Sequence, residues 1–499
     1  SNRFTLRVWG STFKPALYKE LKRLGVEIFD RTEAITLLTA EADGIKRGIG
    51  AICMNCRTGK LSIINSRSTV LAMSRPARVW LFTPDLVGLC EFRPPQSIGT
   101  GHAMGWRAGI EFTMMEKSVP AEFSASGRSF PPYGAGNNHN TWYAATMVDS
   151  RGIEIPYVDR DGKILNSVSE RYHPTKGQKF FLKGGVIDNP KYDYRGPETL
   201  DFEELMELGF QLPFYADLSR MPELERKVIW GMMVGEEGKT KIPILHDYTQ
   251  RGFDPTKHML QAYGAGWKSA SFLPQERQLF GAPGGVMNDW DLKTNLEGVY
   301  AAGDQLFASN GCGFAAATGY YAGRKAASNE KLVTALDKEF ITREKERILA
   351  PLRFSEKKKM DWKELNFAIS KLMQNYCGAV KNENLLKEGL KLIQEYKERY
   401  VPLLSCQNIH DLVRTHEVTD ILDVSELIIQ ASLARRSSSE YLYFERDDFP
   451  EKDPIEDRKF ITIRQHNGKP IVKSVSSKYF GDIAAEYEER NKEYLKRGK

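Results

Sequence analysis

The chain has 499 residues, 41% of them hydrophobic and 27% charged, with 71 basic against 65 acidic side chains for a net charge of +6. That length supports several domains with substantial cores. No apolar run approaches the roughly 20 residues that span a bilayer, so no transmembrane segment is expected, and the small basic surplus, interleaved with acids as in "SEKKKMDWK", argues against nucleic-acid binding. Six cysteines in so long a chain point to a reducing, cytoplasmic compartment rather than a disulfide framework.

Leu17–Leu24 has helical periodicity, and "GVEIFD" after it reads as a short strand. From Ala34 to Met73 apolar and polar residues alternate, with turns at Asp43-Gly44 and Thr58-Gly59, which predicts a β-meander ending in the buried strand Thr69–Met73. Cys53 and Cys56 form a C-x-x-C on that meander. One such pair is half of a tetrahedral site, and the neighbouring "RTGK" signals a hairpin rather than the helix start of a redox motif. The pair is read as structural, with no metal and no iron–sulfur cluster on this chain. "GTGHAMGWRAG", Gly99–Gly109, is a loop opening a helix, and Gly127 to about Gly266, rich in Gly, Pro, Asn and aromatics, reads as an inserted domain.

"GVYAAGDQLFASNGCGFAAATGYYAGRKAA", Gly298–Ala327, carries the chemistry. Val299–Ala302 reads as a buried parallel strand, and Gly303-Asp304 ends it with a turn and a carboxylate at the carboxyl edge, where open α/β sheets bind ligands. The loop Asn310–Gly313 precedes a helix expected from about Ala315 to Ser328. Its face of Ala315, Gly319, Ala322, Gly323 and Ala326 can approach a sheet or a flat ligand closely, and its start offers free N–H groups and the positive end of the helix dipole. A tightly packed helix in any α/β enzyme would read the same way. Long helices follow from about 331 to 435, and the last segment returns to strands ("KFITIR", "KPIVKSVS") before a charged helix.

Together "STVLAMSRPARVW", "GTGHAMGWRAG", the Gly298–Ala327 stretch and "MQNYCGAVKNENLLKEGLKLI" resemble the succinate dehydrogenase/fumarate reductase flavoprotein family. "ARRSSSEYLYFERDDFP" is spaced more like the alpha subunit of adenylylsulfate reductase. The resemblance implies an α+β chain: an α/β flavin-binding sheet over 1–116 and 271–330, an α+β capping domain over 117–270, a helical domain over 331–435 and a β/α tail over 436–499. It implies FAD, a small-molecule substrate and a ferredoxin-like iron–sulfur subunit as electron partner. No segment shows a strand followed by G-x-G-x-x-G, so the sheet is expected to lack its first phosphate-binding unit, and FAD binding could fail for that reason.

By position in the family pattern, the implied cofactor contacts are Thr100, Gly101, Gly303, Asp304, Gly311, Cys312, Gly313, Phe314, Ala315 and Ala316. Ser74 and Arg75 stand at two family glycines, and Arg75 is expected to face solvent, with contact to a phosphate as the alternative. The dicarboxylate-binding Arg and His of the family correspond to Asn310 and Phe280, and removal of those cations disfavours succinate or fumarate. A less charged, aromatic or unsaturated substrate is expected, with Tyr263 and His258 as further contacts. Thr141 falls at the family's proton-shuttling Arg, leaving His139 and Tyr143 as the nearest proton-moving groups. The reaction expected is oxidation or reduction of a carbon–carbon double bond. The competing reading is a truncated, non-catalytic piece that binds a partner and no flavin.

Overall fold

The computed structural model describes residues 10–76, 79–80, 97–120, 146–156, 164, 166–167, 170, 206–211, 214–227, 252, 254, 256–262, 279–281, 284–308, 311–329, 336–353, 360–454 and 458–497. The chain divides into two compact units, one of residues 1–28 and 122–275, the other of 29–121 and 276–499.

In chain order the first element is helix α1, Gly10–Arg23, of the first unit. It ends in a left-handed turn at Gly25 (φ 69°), with Val26 N–H reaching back to the Leu21 carbonyl at 3.0 Å. This capping turn overrides the strand expected for "GVEIFD": the segment leaves the helix with no strand beside it among the described residues, and Val26 and Phe29 are exposed.

The second unit opens with an antiparallel meander of β1 (Thr32–Ala42), β2 (Ile45–Asn55) and β3 (Leu61–Asn65). Asp43 and Gly44 both have positive φ, 55° and 70°, the geometry of a tight two-residue hairpin turn. The C-x-x-C lies here, Cys53 buried on β2 and Cys56 just past it. Burial pushes both thiols above their ordinary pKa, which suits packing rather than nucleophilic chemistry. β4 (Thr69–Leu71) leaves the meander and is followed by helix α2 (Thr100–Ala108), β5 (Phe112–Thr113) and β6 (Ser118–Pro120).

In the first unit, β7 (Met147–Val148), β8 (Glu154–Ile155), β9 (Phe214–Asp217) and β10 (Met259–Ala262) form an antiparallel sheet in the order β10-β9-β7-β8. The chain returns to the second unit with β11 (Leu279–Gly281), β12 (Gly285–Val286) and β13 (Val299–Ala301). β13 pairs in parallel with β4, Val299 opposite Thr69 and Ala301 opposite Leu71. Helix α3 runs from Gly311 to Ala327, four residues earlier than expected.

Helices α4 (Lys338–Leu349), α5 (Trp362–Tyr376), α6 (Glu383–Glu395) and α7 (Ile409–Ala434) follow. Each has an Asp or Asn cap whose side chain accepts a first-turn N–H: Asp337, Asp361, Asn382 and Asn408. α7 is buried along most of its length and sits at the centre of the core, where Leu365, Leu386, Ile393, Ile421 and Ile428 join Trp106 of α2 and Leu71 and Val299 of the parallel strands. After the short β14 (Val380–Lys381) and β15 (Glu445–Arg446), the strands β16 (Lys459–His466) and β17 (Lys469–Ser476) extend a sheet of order β12-β5-β16-β17. Helix α8, Ile483–Arg497, ends the described chain.

Candidate flavin site

The parallel pair β4/β13 delivers its two carboxyl ends to one place. After β13, Ala302 N–H still bonds the Leu71 carbonyl at 2.9 Å, and the chain then turns through Gly303 at φ 62°, a conformation glycine adopts without strain. Gly303 N–H donates to the Thr318 hydroxyl at 2.8 Å, which itself donates to the Phe314 carbonyl at 2.6 Å. The turn is thereby fastened to α3. Beyond that fastening the first half of α3 is uncovered: Gly311, Cys312, Gly313, Phe314, Ala315 and Ala316 are all exposed, Phe314 to 57%, and nothing lies within 4 Å of where a Cβ on Gly311 or Gly313 would stand. An apolar helix start of small residues, open at the carboxyl edge of parallel strands, is shaped to receive a flat ligand.

Arg75 does not face solvent. It is 2% exposed and its guanidinium pairs with the Asp304 carboxylate at 2.9 Å, a link from the end of β4 to the end of β13. Ser74 before it takes a left-handed φ of 65°, which aims the chain so that the long side chain turns inward. Burial needs a counter-charge, and Asp304 supplies one.

Behind this pair lies a buried polar cluster. His102 on α2 is fully buried and stacked on Phe112 with ring centres 5.5 Å apart. Its Nε2 is 3.4 Å from the Gly284 carbonyl and its Nδ1 is 3.1 Å from the Gln305 amide. Burial, partly offset by the Gly284 carbonyl and reinforced by the charge of Arg75, drives its pKa down to about 4, so the imidazole is neutral at pH 7. Gly101 lets Gln305 approach: an added Cβ would sit 2.1 Å from Gln305 Oε1. Thr100 turns the other way and hydrogen-bonds the buried Asp420 of α7. A charged strap continues there, with Arg107 on Asp420 and Asp423 at 2.8 and 2.7 Å, and Lys397 on Asp423 and Glu426.

A second set of groups had no part in the sequence reading. Glu116, fully buried, pairs with Arg435 at 2.8 Å. Lys117 donates to the Tyr441 carbonyl at 3.0 Å, and its ammonium lies 4.6 Å from the Tyr441 ring centre and 5.6 Å from that of Tyr443. The signal in the sequence is two adjacent opposite charges, "EK", after the alternating strand-like segment "IEFTMM"; such charges inside a core segment require partners.

Of the remaining expected site residues, His258 lies in the first unit, exposed, with Nδ1 accepting the Asp254 N–H at 2.8 Å in a local turn. Phe280 is the middle residue of β11, opposite Val119 of β6. His139, Tyr143, Thr141, Tyr263 and Asn310 lie outside the described residues.

Two family models match the chain: an FAD binding domain over residues 9–120 and the fumarate reductase flavoprotein C-terminal domain over 367–480. The fumarate reductase flavoprotein subunit of Haemophilus influenzae is 24% identical over 205 residues, 38% of this chain and 34% of that protein. The match to the L-aspartate oxidase of Pseudomonas aeruginosa, 29% identical, spans 21% of this chain and 18% of the relative, so both alignments take in well under two thirds of those proteins. L-aspartate oxidase 1 of Ralstonia nicotianae is 22% identical over 84% of this chain and 68% of its own. Among solved structures, adenylylsulfate reductase of Archaeoglobus fulgidus superposes with a TM-score of 0.63 at 16% identity, covering 92% of this chain and 74% of that one. A quinol fumarate reductase chain of E. coli gives 0.60 at 16% identity, over 95% and 79%. The likeness to these structures is one of fold. The chain is thus similar to flavoproteins of the succinate dehydrogenase/fumarate reductase type in its FAD binding domain and its C-terminal domain, and it shares their fold.

Proposed function

We propose that the chain is an FAD-dependent oxidoreductase subunit that reduces or oxidises a carbon–carbon double bond of a non-dicarboxylate substrate and exchanges electrons with an iron–sulfur partner. The observation that carries this reading is the uncovered, glycine- and alanine-rich start of α3 beside Asp304 at the carboxyl edge of β4/β13. The residues present fit the cofactor. The first-turn N–H groups of α3 and its dipole would face the pyrimidine edge, and Asp304, bonded to Arg75 through one oxygen, belongs to a group type that accepts several hydrogen bonds and so can also take a ribityl hydroxyl. When bound, FAD supplies the hydride and electron transfer. The chain's part is to hold it, keep Arg75 as a fixed positive charge nearby, and exclude water with the buried His102–Gln305–Gly284 cluster. Proton movement is sought first at His139 and Tyr143. The partner reading draws on the resemblance to electron-transfer flavoprotein subunits and on the absence of a cluster motif in the sequence.

The test is an absorbance spectrum of the purified chain from 300 to 550 nm, before and after addition of excess FAD and desalting. Retained bands near about 370 and 450 nm, as a protein-held flavin gives, are expected. A protein that stays colourless sinks the cofactor assignment and favours the alternative, in which the buried Arg75–Asp304 pair closes the site and the chain serves only to bind a partner.

A further inference from the structure

Lys117 is a buried cation with no carboxylate partner among the described residues. It is 8% exposed. The adjacent Glu116 is committed to Arg435. Among the described residues one of its three ammonium protons finds an acceptor, the Tyr441 carbonyl. Its other neighbours are the faces of Tyr441 and Tyr443, while Arg458 lies 5.6 Å from the Tyr441 ring, so the local charge is positive. Burial, and the nearby charge of Arg75, lower the Lys117 pKa, which places Lys117 in the neighbourhood of the Arg75–Asp304 pair. Desolvated charge without a counter-ion is costly, and a bound anion removes that cost. The two tyrosine rings, 50% and 56% exposed, offer π faces to a planar group.

We propose that Lys117, with Tyr441 and Tyr443, forms the subsite that holds the carboxylate of a planar aromatic or unsaturated monocarboxylic acid. The proposal rests on the reading of this unit as an oxidoreductase site and refines it: the substrate carries one anionic group, held by a cation contributed from beyond β5 rather than from the α3 loop.

The test uses the full chain, with and without added FAD, and isothermal titration with benzoate and with its neutral isostere benzamide. Benzoate should bind at least ~10-fold more tightly, the scale of one hydrogen bond to a charged group. Lys117→Met should erase that preference, and Lys117→Arg should restore most of it. Equal binding of the two probes, no benzoate binding, or a preference that survives in Lys117→Met overturns the proposal. The two readings separate cleanly. A chain that shows no flavin bands but keeps a Lys117-dependent benzoate preference retains the subsite and loses the cofactor; a yellow chain with no preference does the reverse.

Discussion

Glu33 is a buried carboxyl group held protonated at neutral pH. Burial first, then the negative charges of Asp420 and Glu417, raise its pKa to about 8 against an ordinary 4.5, with Arg414 offsetting part of the effect. The native protein therefore holds a proton that the unfolded chain releases above pH 4.5, and stability falls as pH rises from about 4.5 to about 8. His102 acts in the opposite sense: with its pKa lowered to about 4, its contribution is fully present above pH 6.5 and is lost as pH falls toward 4. Glu33→Gln keeps the shape and removes the titration. It should be more stable than the parent at pH 8, with the gap closing toward pH 4.5, as measured by urea unfolding across that range; a gap independent of pH would show that Glu33 is ionised in the native state. Neither burial was legible in the sequence, because each depends on residues more than 180 positions away: Gly284 and Gln305 for His102, Glu417 and Asp420 for Glu33. Arg75 teaches the same lesson. A long basic side chain in a loop reads as solvated, and only the parallel register of β4 on β13 brings Asp304 to meet it.

At the scale of elements, local chemistry was readable wherever it closed over a few residues. The Asp43-Gly44 turn is such a case, as are the strands "KFITIR" and "KPIVKSVS", which fold as β16 and β17 across a turn at Asn467-Gly468 with φ 50° and 75°. "GVEIFD" failed because a strand needs a neighbour, and the capping of α1 at Gly25 sends the chain out with none beside it among the described residues. Helix α3 is the element in which local preference and proposed function conflict. Gly319 lies mid-helix with nothing within 4 Å of an added Cβ, so by helix propensity alone alanine is the better residue by up to about 1 kcal/mol. Gly319→Ala should therefore raise the stability of the FAD-free chain by that order in urea. If the open face of α3 receives the flavin, the same substitution should weaken FAD retention after desalting. A stabilised variant that retains FAD as well as the parent would move the cofactor off this part of the helix.

At the scale of the molecule, the last strands are not an appendage of the second unit. β16 lies between β17 and β5, with Thr462 opposite Thr113 and Ile463 opposite Phe112. Thr113 donates its hydroxyl to the Ile461 carbonyl at 2.9 Å, and Arg435, already holding Glu116, donates to the Lys459 carbonyl at 2.9 Å. A segment more than 340 residues distant in sequence thus completes the sheet that carries "EFTMMEK" and so positions Glu116 and Lys117. Ile463 is fully buried in the same core as Trp106 and the α5–α7 helices. Truncating it to alanine should cost about 3 kcal/mol, typical of a large-to-small change in a packed core. Because the strand is shared, that loss should move the unfolding of the whole second unit. Tryptophan fluorescence, to which Trp80, Trp106, Trp290 and Trp362 of the second unit contribute, and far-ultraviolet circular dichroism of Ile463→Ala should shift together to lower urea. An early transition confined to the circular dichroism signal, with the tryptophan midpoint unchanged, would mean that β16–β17 unfold alone and that the proposed Lys117 subsite stands without them.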